Sequence, residues 1–202
     1  MLKHYVTETE EDGEAVRTII YPEELWSGNY NIGYDSAFGS VAWINSSGPY
    51  SNNTLRQTVF ELESTAGGPE QNQNADVVYY VSAFGKSSSI IQNDSAHFGI
   101  LIKVYYLQNA EGDTVTVEHF FPFEKFEGQW QFVTGSFSGA YVSSDPDDTA
   151  IYTSISKIEV ICEYSGQNVD TVAYFDNITV EKELFEPVDE YAYDVYGNLV
   201  AQ

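Results

Sequence analysis

The chain is poor in sulfur, in positive charge and in long apolar runs, and each shortage excludes something. A single cysteine, Cys162, rules out any disulfide within the chain. It sits in Ile158-Glu159-Val160-Ile161-Cys162 between Glu159 and Glu163. A reactive thiol needs a nearby cation or helix N-terminus, so Cys162 reads as a small buried hydrophobe. Only 8 of 202 residues are Lys or Arg, against 31 Asp and Glu, giving a formal charge of −23. Such a surface repels a phosphate backbone, because nucleic-acid affinity comes largely from Lys and Arg displacing counterions. An anionic bilayer is disfavoured for the same reason. No apolar stretch approaches the roughly 20 residues of a membrane span, and no membrane insertion is expected. Met1-Leu2-Lys3-His4 lacks a signal-peptide apolar region, which leaves a cytoplasmic protein or an excised piece of a larger one. His4, His97 and His119 are scattered and pair with no second cysteine, so zinc at ordinary ligand spacing is excluded. Gly67-Gly68-Pro69 has no helix after it to cradle a phosphate, and no Gly-x-Ser-x-Gly elbow occurs.

Aromatic residues are plentiful: 16 Tyr, 12 Phe and 3 Trp. Disordered chains are poor in these, so a folded domain is expected, burying roughly 70% of its extendable surface. Helical periodicity is scarce and strand alternation pervasive. Asp76–Phe84 reads as a strand ended by Gly85. Phe98–Leu107 and Thr114–Phe121 read as a hairpin closed by the turn at Asn109–Asp113. Trp130–Phe137, Ser156–Tyr164 and Val172–Glu181 follow, and Ser40–Ile44 and Leu55–Glu63 precede. Polar stretches at Glu63–Asn74 and Ser143–Asp148 read as loops, the second a solvated acidic loop with at most weak calcium binding. Many strands with turns between them and no helix predict an all-β, antiparallel sandwich or barrel.

Alternation sorts the faces. Phe98, Ile100, Ile102, Val104 and Tyr106 share one side of their strand, and Ile158, Val160, Cys162 and Tyr164 share one side of theirs. The opposite sides carry Leu101, Lys103, Tyr105 and Leu107, and Lys157, Glu159, Ile161 and Glu163. Such a mixed aromatic and charged face is either an ordinary wetted sheet surface or a sugar-binding groove, where rings stack on pyranose faces and polar groups bond hydroxyls. His119 reads as a strand residue rather than a base. A jelly-roll glycoside hydrolase would need two carboxylates facing each other across a cleft, roughly 5 to 9 Å apart. Cys162-Glu163-Tyr164 is the nearest candidate for one of them, and it has no partner motif.

Four stretches, taken in order, resemble carbohydrate-binding modules of the family 4/9-like type: Leu55–Val59, Val78–Lys86, Gly128–Phe137 with its Trp130-Gln131-Phe132-Val133-Thr134-Gly135, and Ala173–Val180. The resemblance implies an antiparallel jelly-roll β-sandwich. The tail, Tyr191-Ala192-Tyr193-Asp194-Val195-Tyr196-Gly197-Asn198-Leu199, resembles the Tyr-Asp repeat of bacterial Rhs/YD-repeat proteins. The expected organisation is a leading segment at 1–20, a sandwich module at 21–185, and a linker with the start of a YD-type repeat at 186–202. Together the resemblances imply a noncatalytic module that binds a polysaccharide or glycan within a larger extracellular or cell-surface polypeptide. The alternative is a structural or adhesive spacer with no sugar ligand. The expected ligand-binding residues are Tyr80, Lys103, Tyr105, Glu159 and Glu163 on an open sheet face, with Trp26, Trp43 and Tyr50 at a groove mouth. Trp130 is expected in the core. In related modules the aspartate matching Asp176 helps hold a structural Ca2+, so Asp176 is the expected metal ligand.

Overall fold

The computed structural model describes residues 5–11, 14–20, 26–47, 52–61, 77–89, 96–108, 113–124, 127–144, 150–165, 170–182, 192–193 and 199–201. All of its regular structure is β. Strands β1 (Tyr5–Glu11) and β2 (Glu14–Ile20) pair with each other, in register from Tyr5↔Ile20 to Glu11↔Glu14. Then come β3 (Ser27–Gly28), β4 (Asn31–Asp35), β5 (Gly39–Ser47), β6 (Asn52–Glu61), β7 (Val78–Ser87), β8 (His97–Leu107) and β9 (Thr114–Pro122). They are followed by β10 (Gln131–Ser138), β11 (Tyr141–Val142), β12 (Ile151–Tyr152), β13 (Ile155–Ser165) and β14 (Asp170–Lys182). The short strands β15 (Ala192–Tyr193) and β16 (Leu199–Ala201) pair at the tail.

Two five-stranded antiparallel sheets form the sandwich. The front sheet runs β10-β7-β14-β5-β4, and the back sheet β3-β6-β13-β8-β9. Within these two sheets β4–β5 and β8–β9 are hairpins; the other successive long strands cross between sheets, which gives the jelly-roll topology. The β8–β9 hairpin matches the sequence expectation, with Leu107 opposite Thr114.

The core follows the alternation. Phe98, Ile100, Ile102, Val104 and Tyr106 from β8 and Ile158, Val160, Cys162 and Tyr164 from β13 are buried against Val81, Ala83, Ala173 and Phe175 of the front sheet. Phe98 packs on Phe123 at 4.7 Å between ring centroids and meets Phe175 edge-on at 5.9 Å. Buried tyrosines keep partners for their hydroxyls. Tyr106 donates to the Ser138 carbonyl at 2.9 Å, and Tyr164 donates to Thr171 Oγ1 at 2.7 Å. Cys162 is fully buried, and burial pushes its thiol well above the ordinary range.

Three expectations are corrected. Gly85 does not end its strand, which continues to Ser87. The glycine is there because a Cβ would come within 2.4 Å of the Phe123 ring. Trp26 is no groove-mouth residue: it is 8% exposed and belongs to the core. It is drawn in because Ser27 and Gly28 pair with Arg56 and Leu55 of β6. Gly28, at φ 121, allows that approach, since a Cβ would lie 2.0 Å from the Thr54 carbonyl oxygen. Trp130 lies outside the inter-sheet core, on the outer side of the front sheet.

Gly85→Ala is expected to lower stability by about 1–3 kcal/mol, the usual range for overpacking a close-packed core. A chemical denaturation midpoint measured beside wild type checks it. An unchanged midpoint would mean that Phe123 is free to move aside.

Candidate functional site

The two sheets present different outer faces. On the back sheet, Lys103 and Tyr105 of β8 lie beside Glu159 and Lys157 of β13. Tyr105 donates its hydroxyl to Glu159 at 2.6 Å, and Lys157 reaches Glu159 at 2.9 Å while lying over the Tyr105 ring. Lys103 pairs with Glu118 at 2.6 Å, and His97 with Glu163 at 3.1 Å. The hydrogen bond to Glu159 holds the Tyr105 phenol up at about 12, with burial adding to it. Burial pulls the Glu159 carboxyl upward, but hydrogen bonds from Tyr105 and Lys157 outweigh it and leave it below its ordinary value. The four expected residues Lys103, Tyr105, Glu159 and Glu163 are therefore brought to one face, where each is engaged by a neighbour. Glu159 and Glu163 stand on the same strand about 13 Å apart by strand rise, side by side rather than opposed across a cleft.

The fifth expected residue of that face, Tyr80, is on the other side of the molecule, on β7 of the front sheet. Alternation tells which side of a strand a residue takes, and it is silent on which sheet the strand joins. Trp43 is also on the front sheet, partly buried, opposite Tyr174 of β14 and Asn31 of β4. Tyr50 lies outside the described residues.

Part of the front face is covered by the chain's own turn. Val41 of β5 and Asp176 of β14 have outward parity, yet both are fully buried. Phe38, in the β4–β5 turn, packs on Phe84 at 5.0 Å and on Trp130 at 4.4 Å. Asp35, at the end of β4, pairs with Lys86 of β7 at 2.5 Å. Two strands of the sheet, β14 and β5, lie between them, so the turn folds back over the sheet. The Lys86 ammonium is 4.9 Å from the ring centroids of both Trp130 and Tyr174. Hydrogen bonds from Lys86 and from the Ala37 N–H hold the Asp35 carboxyl below its ordinary value of 3.8.

Beside this strap the face is open. Phe132 of β10 is 57% exposed and packs on Phe84, its cross-strand neighbour, at 4.9 Å. Thr134, Ser82 and Thr179 form the next row, with the Ser82 and Thr179 hydroxyls 2.7 Å apart. Ser136, Tyr80 and Glu181 form the row after that, with Tyr80 47% exposed. The result is a strip along the strands: a ring platform, a hydroxyl row, then a second ring, with about 13 Å between the ring positions. Phe84, Phe132 and the hydroxyl row were not singled out from the sequence. The signal was there in Phe132-Val133-Thr134-Gly135-Ser136-Phe137, whose alternate residues are exposed.

Calcium takes six to eight oxygen ligands. Among the described residues no three His, Cys, Asp or Glu side chains come together, and the ladder partner of Asp176 is Phe84.

No protein-family model matches the sequence, and no curated protein matches it. Among solved structures, the chain is similar to Family 16 Carbohydrate Binding Module-2 at 18% identity and a TM-score of 0.43, over 77% of this chain and 89% of that one. It is similar to the CBM22-1 xylan-binding domain from Paenibacillus barcinonensis at 10% identity and a TM-score of 0.45, over 79% and 86%. It is also similar to a family 30 carbohydrate-binding module of a Clostridium thermocellum cellulosomal cellulase at 10% identity and a TM-score of 0.42, over 88% and 90%. These are likenesses of fold.

The strap gives a pH prediction. A lowered carboxyl contributes stability above its unfolded value and loses it as pH falls through the folded value. Asp35→Asn should therefore melt below wild type at pH 7, and the gap should close as pH drops below 3.8, the ordinary value. Thermal melts of both proteins from pH 7 to pH 2 check it; a gap that persists in acid would contradict the ion pair.

Proposed function

We propose that the chain is a noncatalytic, glycan-binding β-sandwich whose ligand lies along the front strip. The observation that carries this reading is the exposed pair Phe132 and Tyr80 flanking the hydroxyl row of Thr134, Ser82 and Thr179. Each sugar ring of an extended chain has an apolar face that stacks on an aromatic ring and hydroxyls that exchange hydrogen bonds with side-chain hydroxyls. Folded rigidly into adjacent strands, the strip needs little ordering on binding, which lowers the entropic penalty of association. Against catalysis stands the back face, whose nominated carboxylates share one strand and are taken up by Tyr105, Lys157 and His97.

The tail motif at residues 191–199 supports placing this module in a larger bacterial surface or secreted protein of the Rhs type. No helix of the described residues is long and apolar enough to cross a membrane. The alternative, an adhesive spacer without a sugar ligand, has one observation in its favour. Val142 and Ile151 form a cross-strand apolar pair on β11 and β12, 63% and 64% exposed.

Titration calorimetry against plant, host and bacterial oligosaccharides tests the reading. Phe132→Ala and Tyr80→Ala are each expected to weaken binding about tenfold, since an aromatic contact contributes about 0.5–1.5 kcal/mol beyond its area and 1.4 kcal/mol is tenfold. Tyr105→Ala, on the back face, should leave affinity unchanged. A panel with no binder would favour the spacer.

Calcium enters this reading only through Asp176. A structural Ca2+ held by Asp176 would show as a fall in melting temperature on adding a chelator, a fall that Asp176→Asn should lack; an unchanged melting temperature would remove calcium from this reading.

A further inference from the structure

Glu181 is an exposed carboxylate at the end of the strip, directly opposite the exposed ring of Tyr80 across the β14–β7 ladder. We propose that this corner selects glycans bearing free amino groups, so that the ligand class of the strip is a cationic amino-sugar polymer. The proposal rests on the glycan-binding reading of the same strip.

Three observations converge on it. A carboxylate beside an aromatic platform suits an amino sugar: the ring stacks on the apolar sugar face and the carboxylate accepts the ammonium N–H bonds. A pyranose lying on Tyr80 carries its substituents around its edge, so an amino group on the β14 side meets the Glu181 carboxylate. The second observation is the lack of a cation, among the described residues, within the strip rows, where the outward positions are Phe132, Phe84, Thr134, Ser82, Thr179, Ser136, Tyr80 and Glu181. The Lys86 ammonium of the front face is committed to Asp35 and to the Trp130 and Tyr174 rings, and Lys182, which follows Glu181 on β14, stands opposite Tyr79 on the other parity of the strand. A uronate or sulfated sugar would find no counter-charge among those outward positions. The third is the net charge of −23, a field that concentrates polycations near the surface and repels polyanions.

The test compares four soluble oligosaccharides of equal length by calorimetry on wild type, Glu181→Gln and Phe132→Ala: a glucosamine oligomer with free amino groups, its fully N-acetylated form, a neutral glucose oligomer and a polyuronate. The expected result is tightest binding of the free amine and none of the polyuronate. Glu181→Gln should weaken the amine ligand about fivefold, the upper range for an exposed ion pair, and leave the neutral ligand unchanged. The preference should also shrink at high salt. Equal affinity for the amine and neutral oligomers, with Phe132→Ala weakening both about tenfold, would overturn the amine selectivity and leave the strip as the binding site. Amine binding left undiminished by Phe132→Ala would be general attraction to an acidic surface, and would overturn the proposal. Failure of all four to bind would overturn both the selectivity and the strip.

Discussion

Everything on the outer faces is positioned by a cluster of rings packed between the sheets. Phe98 of the back sheet, Phe175 of the front sheet and Phe123, which follows β9, stand 4.7 to 6.2 Å apart in pairs. Phe123 fits only because β7 presents a glycine, Gly85, at the contact point. That contact sets how close the sheets approach along β7, and the residues on either side of Gly85 are the outward-facing Phe84 and Lys86. The same strand thus holds the core together with one side and builds the front face with the other. A shift in the packing at Gly85 would be transmitted one residue away to the strip and the strap.

The two faces divide the labour of a strongly acidic molecule. The back face uses two of its few lysines to neutralise carboxylates locally, through Lys157 with Glu159 and Lys103 with Glu118, and sets His97 in a hydrogen bond with Glu163. Exposed pairs of this kind contribute little to stability, about 0–1 kcal/mol each. They do prevent like charges from crowding on adjacent strands. The front face uses the pair Lys86 and Asp35 to fasten a turn over an otherwise wettable sheet. Val41 and Asp176 are fully buried on the same sheet although their parity is outward.

Much of the sandwich was legible in the residues because strand alternation is local. The inward sets of β8 and β13 fell where their spacing put them, from Phe98 to Tyr106 and from Ile158 to Tyr164. The β8–β9 hairpin was marked by its turn residues. What local pattern could not carry was the assignment of strands to sheets, which separates Tyr80 from Tyr105 although both alternate outward. The covering turn was also hidden, since the contacts that close it, Asp35 with Lys86 and Phe38 with Trp130, join residues far apart in the chain. Trp26 read as a loop aromatic because its burial depends on a two-residue bridge to β6, too short to leave a periodicity.

The strand at the edge of the front sheet, β10, runs Gln131-Phe132-Val133-Thr134-Gly135-Ser136-Phe137-Ser138 and contains neither a charge nor a proline. Edge strands are usually blunted by such residues, because an unguarded edge is a template for another chain. Here the guard is collective rather than local: molecules of charge −23 repel one another before their edges meet. Colloidal behaviour is thereby tied to ionic strength. At about 1 M salt the screening length shrinks to about 3 Å, and that collective guard is lost.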